Sequence, residues 1–252
     1  MKSRYALKIE YDGAFFSGWQ SQTSSPLSVQ RRLEQAFLAL TQESVHVYAA
    51  GRTDTGVHAQ GQVAHVDFSR HYTQECLHKG GNYYLNHSGV QILKVQRVSE
   101  AFHARFSAER RIYRYILLPR SSSSPLWKTR AWWIKKPLQN ALLEEAAVVL
   151  TGSWDFSNFR NSACQASNPF RTLEKVVVEH VEPFIYLQFQ AKSFLHRQVR
   201  MMTGAMVQFA TKCITLKEFL AYLSPKDSNS KPLAAPAHGL YLEKVLYNDF
   251  VF

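Results

Sequence analysis

The sequence predicts a mixed α/β fold of the α+β type, in two halves that each set helices against a mainly antiparallel sheet. Three observations predict it. Strand-period alternation recurs along the chain, as from Tyr5 to Tyr11, where Leu7, Ile9 and Tyr11 share one face and Lys8 and Glu10 the other. Helical stripes separate the strands, as from Val29 to about Leu40, with Val29, Leu33, Ala36, Phe37 and Leu40 on one side. Two strand patterns, Leu173 to Val181 and Phe184 to Ala191, meet at Glu182-Pro183 as a hairpin.

The elements follow in order. After the first strand, Asp12-Gly13 turns the chain, and Phe15, Phe16 and Trp19 read as core aromatics. Ser28 is placed to cap the first helix. Val45 to Tyr48 and Gly61 to Phe68 read as strands, Glu75 to Tyr84 as a helix, and Val90 to Val95 as a strand. Ile112 to Leu118 and Ala131 to Ile134 are strands, and Leu138 to Leu150 is a helix stopped by Gly152. A helical pattern runs from Phe194 to about Cys213, which would put Arg197 and Arg200 on one face and Met201, Met202 and Met206 in the core. Thr215 to Glu218 forms a capping box for a helix to Leu223. Ser224 to His238 reads as a loop, and Leu240 to Tyr247 as a closing strand. We place the boundary between the halves at 105/106, giving subdomains 1–105 and 106–252.

Composition narrows the function. The 252 residues carry 30 Lys+Arg against 19 Asp+Glu, a net charge of +11, which points to a polyanionic partner. Arg110-Arg111 and Lys135-Lys136 read as phosphate contacts or solvated charge. No apolar run of about eighteen residues is present, so no membrane span is expected. Met1 to Tyr5 runs straight into a strand pattern, with no signal peptide. Cys76, Cys164 and Cys213 lie far apart without paired spacing, which argues against a zinc site or disulfides and fits the cytoplasm.

The densest chemistry lies in Ala49 to Ala59, where Arg52, Thr53, Asp54, Thr55 and His58 fall between Gly51 and Gly56. Flanking strand patterns place Asp54 on a loop with a rigid base. An exposed Arg52–Asp54 pair on a hairpin accounts for the same residues, and local chemistry alone does not separate the two.

The wording of the segment does separate them. Gly51-Arg52-Thr53-Asp54-Thr55-Gly56-Val57-His58-Ala59 closely resembles the nucleophile motif of the tRNA pseudouridine synthase A family, with Thr55 where that family usually has Ala. Further matches are Tyr11 to Gln20, Phe102 to Ala108, Arg111 to Tyr115, Asp155 to Phe159, Phe194 to Arg200 with Gly204, and Gly239 to Leu242. Two departures stand out: Asn86, where the family tends to have proline, and Trp154, where many members have histidine.

The resemblance implies isomerisation of uridine to pseudouridine at positions 38, 39 and 40 of the tRNA anticodon stem-loop, without cofactor or metal. It implies a pseudouridine synthase fold whose two subdomains join across a central basic cleft. Asp54 would be the nucleophile and Arg200 its ion-pair partner. Tyr113 would stack on the target base and Arg52 would hold the uridine out of its stack. Arg105 and its neighbours Phe102, His103, Ala104 and Phe106 would contact tRNA, as would Ala163 to Ser167. The family works as a homodimer on one tRNA. Two rivals predict different behaviour. A tRNA-binding module without catalysis would bind independently of Asp54, and a metal-dependent hydrolase would use Asp54, His58, His65 and Asp67 as ligands.

Overall fold

The computed structural model describes residues 2–20, 27–224, 231–248 and 252. Contacts divide the chain into two compact units, Met1–Glu109 with Tyr241–Phe252, and Arg110–Leu240. The closing strand therefore belongs with the first half of the chain, whereas the sequence placed 106–252 together.

In the first unit the central strand is β1 (Ser3–Tyr11), antiparallel to β3 (His58–Phe68) on one side and to β4 (Val90–Val98) on the other. The short β2 (Val47–Ala49) pairs with β3, as does β10 (Leu240–Leu246), in parallel. Helix α1 (Val29–Thr41) starts where the Ser28 hydroxyl accepts the Arg31 N–H at 3.2 Å. Val29, Leu33, Ala36 and Phe37 of the stripe read from the sequence are buried, Leu40 only half so, and Phe37 meets Phe68 of β3 edge-on. A wide turn of π-helix over Cys76–Gly80 leads into the short α2 (Gly81–Leu85).

In the second unit β5 (Arg110–Pro119), β9 (Phe184–Ala191), β8 (Phe170–Val181) and β7 (Gly152–Asp155) pair antiparallel in that order, and β6 (Trp132–Ile134) joins β5 in parallel. Helix α3 (Asn140–Leu150) packs on α4 (Gln198–Ala210), which buries Met201, Met202 and Met206. Helix α5 (Leu216–Ala221) begins with both bonds of the expected capping box. Of the expected loop over 224–238, residues 225–230 lie outside the described residues. No helix among the described residues is long and apolar enough to cross a membrane.

Four readings need correction. Phe15, expected in the core with Phe16 and Trp19, is 60 % exposed, while the other two are buried. β3 starts at His58 rather than Gly61, because Tyr241 and Leu242 pair with His58 and Ala59 and Tyr11 also pairs with Ala59, extending the strand. His58 is thus a strand residue. The helix near the second arginine motif starts at Gln198, because the Gln198 Oε1 takes the Leu195 N–H at 2.8 Å and Arg197 turns left-handed at φ 64°. Arg197 and Arg200 therefore do not share a helical face. Arg111 is not solvated charge: it is 7 % exposed and donates to the Lys192 carbonyl at 2.6 Å. Strand β7 has no signal in the sequence, since Gly152-Ser153-Trp154-Asp155 shows no apolar alternation.

Candidate active site

Asp54 lies partly exposed on the loop between β2 and β3. The Val57 N–H donates to the Asp54 carbonyl at 3.1 Å, closing a turn that Gly56 completes at φ 79°. The residues around Asp54 are tied to distant ones. Buried Thr53 places its Oγ1 2.7 Å from Tyr11 Oη, and its carbonyl accepts the Trp19 N–H at 3.1 Å. Gln62 Nε2 donates to the Gly51 carbonyl at 2.7 Å. The Gly13 N–H donates to His58 Nδ1 at 3.0 Å, with Asp12 Oδ1 at 3.1 Å from the same nitrogen, and Tyr241 stacks on the His58 ring at 4.6 Å.

Two glycines make this approach possible. A Cβ at Gly13 would stand 2.2 Å from the Val57 carbonyl oxygen. One at Gly18, where φ is +101°, would stand 2.8 Å from that of Thr53. The two N-terminal motifs are therefore one object: residues 11–20 form a cradle that fixes residues 51–58. Each buried bond adds about 1 kcal/mol net, but leaving a partner unmatched costs about 1–3 kcal/mol. Arg52 and Thr55 are exposed, so the hydroxyl that Thr55 adds relative to Ala does not enter the cradle.

Residues 102–106 form a second fixed segment of the first unit. Arg4 Nη1 donates to the Phe102 carbonyl at 2.7 Å and Tyr247 Oη to the Ala104 carbonyl at 2.6 Å. Phe102 and Ala104 point inward. Phe106 is 75 % exposed, with the Arg105 guanidinium 5.7 Å from its ring centre.

In the second unit Tyr113 of β5 lies opposite Phe189 of β9 and meets Phe194 edge-on at 5.2 Å, which joins the motifs 111–115 and 194–200. Arg200, half-buried in the first turn of α4, donates from Nε to the Ala235 carbonyl at 2.8 Å, and the Ala235 N–H returns to the Arg200 carbonyl at 2.9 Å. Gly204 admits this crossing, since a Cβ there would stand 1.9 Å from the Leu233 carbonyl oxygen. Gly239 likewise admits the ring of Tyr115, whose hydroxyl donates to the Pro236 carbonyl at 2.7 Å. Burial pushes the Tyr115 phenol well up, with the Arg200 charge opposing. Segment 163–167 folds on Asn161, whose Oδ1 accepts the Ala163 N–H at 2.9 Å and whose own N–H reaches the His196 carbonyl at 3.1 Å. Of the two departures, Asn86 has φ −54°, the range proline imposes, and Trp154 is a half-exposed residue of β7 whose Nε1 donates to the Thr151 carbonyl at 3.3 Å.

Asp54, Arg52 and residues 102–106 thus lie in the first unit, and Tyr113 and Arg200 in the second. Three of the four ligands of the hydrolase alternative are occupied otherwise. Asp67 takes both its oxygens to Arg4 at 2.7 Å, and this guanidinium holds its carboxyl below the usual range. His58 accepts from Gly13 and His65 from Ala104. No group of three His, Cys, Asp or Glu among the described residues is arranged to hold a metal. Sequence reasoning missed Thr53, Gln62 and His65 as supports. The signal for the cradle was Gly13 and Gly18, two glycines five apart in a motif otherwise read as core.

Residues 146–248 match the model of a family described as tRNA pseudouridine synthase, which sets the class. Relatives extend the match over nearly the whole chain. The tRNA pseudouridine synthase A of Methylocella silvestris is 44% identical over 246 residues, covering 98% of this chain and 99% of its own. Those of a Wolbachia pipientis strain from Culex pipiens and of a Caulobacter species are 40% and 42% identical over 244 residues, each covering 97% of this chain and 100% and 98% of their own. The chain belongs to the tRNA pseudouridine synthase A family.

Proposed function

We propose that this chain converts uridine to pseudouridine at positions 38, 39 and 40 of the tRNA anticodon stem-loop, with Asp54 as nucleophile. As a member of its family it is an isomerase acting on tRNA. The reaction breaks the N1–C1′ bond, joins C5 to C1′, and moves the proton from C5 to N1, so it balances without an oxidant or a hydrolytic water. The target base leaves its stack to reach a side chain. Asp54 attacks covalently or removes the C2′ proton, and either role suits a carboxylate. Tyr113 supplies a face for the detached uracil, Arg52 holds the uridine out, and Arg200 keeps the acid ionised. Residues 102–106 and 163–167 contact the tRNA. The proposed fold is that of pseudouridine synthases, with the two halves meeting at a basic cleft, and the working form is a homodimer.

The observation that carries this reading is the cradle: a partly exposed aspartate on a loop whose neighbours are fixed by bonds from Tyr11, Gly13, Trp19 and Gln62. That is the preorganisation expected of a nucleophile, and a surface ion pair has no need of it. The test is to incubate an unmodified tRNA transcript with the pure protein, without added metal or cofactor, and map pseudouridine. Modification confined to positions 38–40 is expected; none, or modification elsewhere, contradicts the assignment.

A further inference from the structure

His65 stands in the middle of β3, 1 % exposed, and takes no part in the chemistry above. One face stacks on Tyr48 at 4.9 Å and 14°, and its edge meets His103 at 4.5 Å and Phe102 at 6.2 Å. Its Nδ1 accepts the Ala104 N–H at 3.2 Å. His103 continues the pattern: its Nδ1 accepts the N–H groups of Arg105 at 3.1 Å and of Phe106 at 3.4 Å. The His103 N–H itself goes to Ser107 Oγ at 3.0 Å. Three consecutive backbone donors, at 104, 105 and 106, are thus held by imidazole nitrogens rather than by carbonyls.

We propose that His65, with His103, is a positioning residue for tRNA binding: two neutral imidazoles, each offering a bare Nδ1 lone pair, latch residues 104–106 so that Arg105 and the exposed Phe106 ring are presented together to the RNA. The proposal rests on the reading that residues 102–106 contact tRNA. Accepting at Nδ1 places the ring proton on Nε2. Protonation would turn each Nδ1 into a donor facing another donor and open the latch. The surroundings oppose protonation. His65 is faced by His103, Arg4 and His46, which disfavour its charge, by Asp67, which favours it, and by the phenol of Tyr48. His103 is faced by Arg4 and Arg105. Burial first, then the neighbouring His103 and Arg4, lower His65 to about 4. Arg4 beside both imidazoles and Arg105 beside His103 thus have a local purpose: they keep the latch neutral.

Two measurements test this. In the wild-type protein, ring 15N chemical shifts at pH 7 should show both histidines as the Nε2–H tautomer, and a charged or Nδ1–H His65 would overturn the latch whatever the enzyme does. In the second, His65→Phe keeps a ring against Tyr48 but accepts nothing, whereas His65→Asn restores an acceptor near the Nδ1 position. The Phe variant should raise KM for tRNA about tenfold with kcat within about twofold, and the Asn variant should return KM to within about threefold of wild type. Equal KM values for the two variants, or a Phe variant with unchanged KM, would overturn the proposal. If the Phe variant does not fold, the tautomer measurement still decides. Failure of wild-type protein to modify tRNA would count against the functional reading and leave the tautomer result standing on its own.

Discussion

The loop around Asp54 and the start of α4 around Arg200 carry charged residues of opposite sign, and they are held in different ways. The Asp54 loop has almost no support of its own. Its geometry comes from Tyr11, Gly13, Gly18 and Trp19, more than thirty residues upstream, and from Gln62 on the next strand. The approach to Arg200 draws more on neighbours: Gln198 satisfies Leu195 and Arg197 turns left-handed, while the reciprocal Arg200–Ala235 pair and the Asn161 N–H to the His196 carbonyl are its longer ties. A carboxylate on a loop needs a rigid base supplied from outside, whereas an arginine on a helix inherits its direction from the helix.

The largest effects expected from this contrast come from the glycines. Gly204→Ala and Gly13→Ala each force a Cβ into a backbone oxygen, at 1.9 Å and 2.2 Å. Each should cost at least about 3 kcal/mol in denaturant unfolding, since neither neighbour is a flexible side chain. Milder behaviour at Gly13 would break the cradle. Tyr11→Phe keeps the packing but orphans the buried Thr53 hydroxyl, and should cost about 1–3 kcal/mol with a fall in kcat. A cost like that of an exposed substitution would mean the loop does not lean on Tyr11.

Arg200→Lys keeps the charge and loses the Nε bond to Ala235. It should lower kcat by roughly tenfold to a hundredfold with little change in melting temperature, because Lys lacks the fixed fork of donors. The remaining effect is on pH dependence and is confined to the first unit. His65 titrates near 4 in the folded chain against about 6.5 when unfolded. The unfolded chain takes up the proton first on acidification, so the stabilisation is complete above about pH 6.5 and falls as pH drops toward 4. By linkage about 3 kcal/mol at most should be lost over that range, measured by chemical denaturation. His65→Asn should remove this slope.

How much of this could be read beforehand follows from the distances in sequence. Alternation found β1, and the 182–183 turn set the β8–β9 hairpin, with β8 starting at Phe170 rather than Leu173, because strand periodicity and turn chemistry are local signals. Ser28 and Thr215 marked helix starts for the same reason. Gln198 was not legible as a helix start, since nothing in a helical apolar pattern says that a side chain will take the Leu195 N–H first. The pairing of β10 with β3 joins residues far apart in the chain, so neither the true start of β3 nor the place of residues 241–252 could be seen. Family motifs named Asp54, Tyr113 and Arg200 as candidates. That Tyr11 touches Thr53, or that His65 holds Ala104, is tertiary information that motifs do not carry.

The proposed activity depends most on Asp54 acting chemically from a fixed loop. Single-turnover conversion of uridine in tRNA by Asp54→Asn, beside tRNA binding and melting temperature of the same preparation, tests it most directly. The variant should fold and bind tRNA within a few-fold of wild type and convert at least about 10³-fold more slowly. Conversion at the wild-type rate would contradict the assignment.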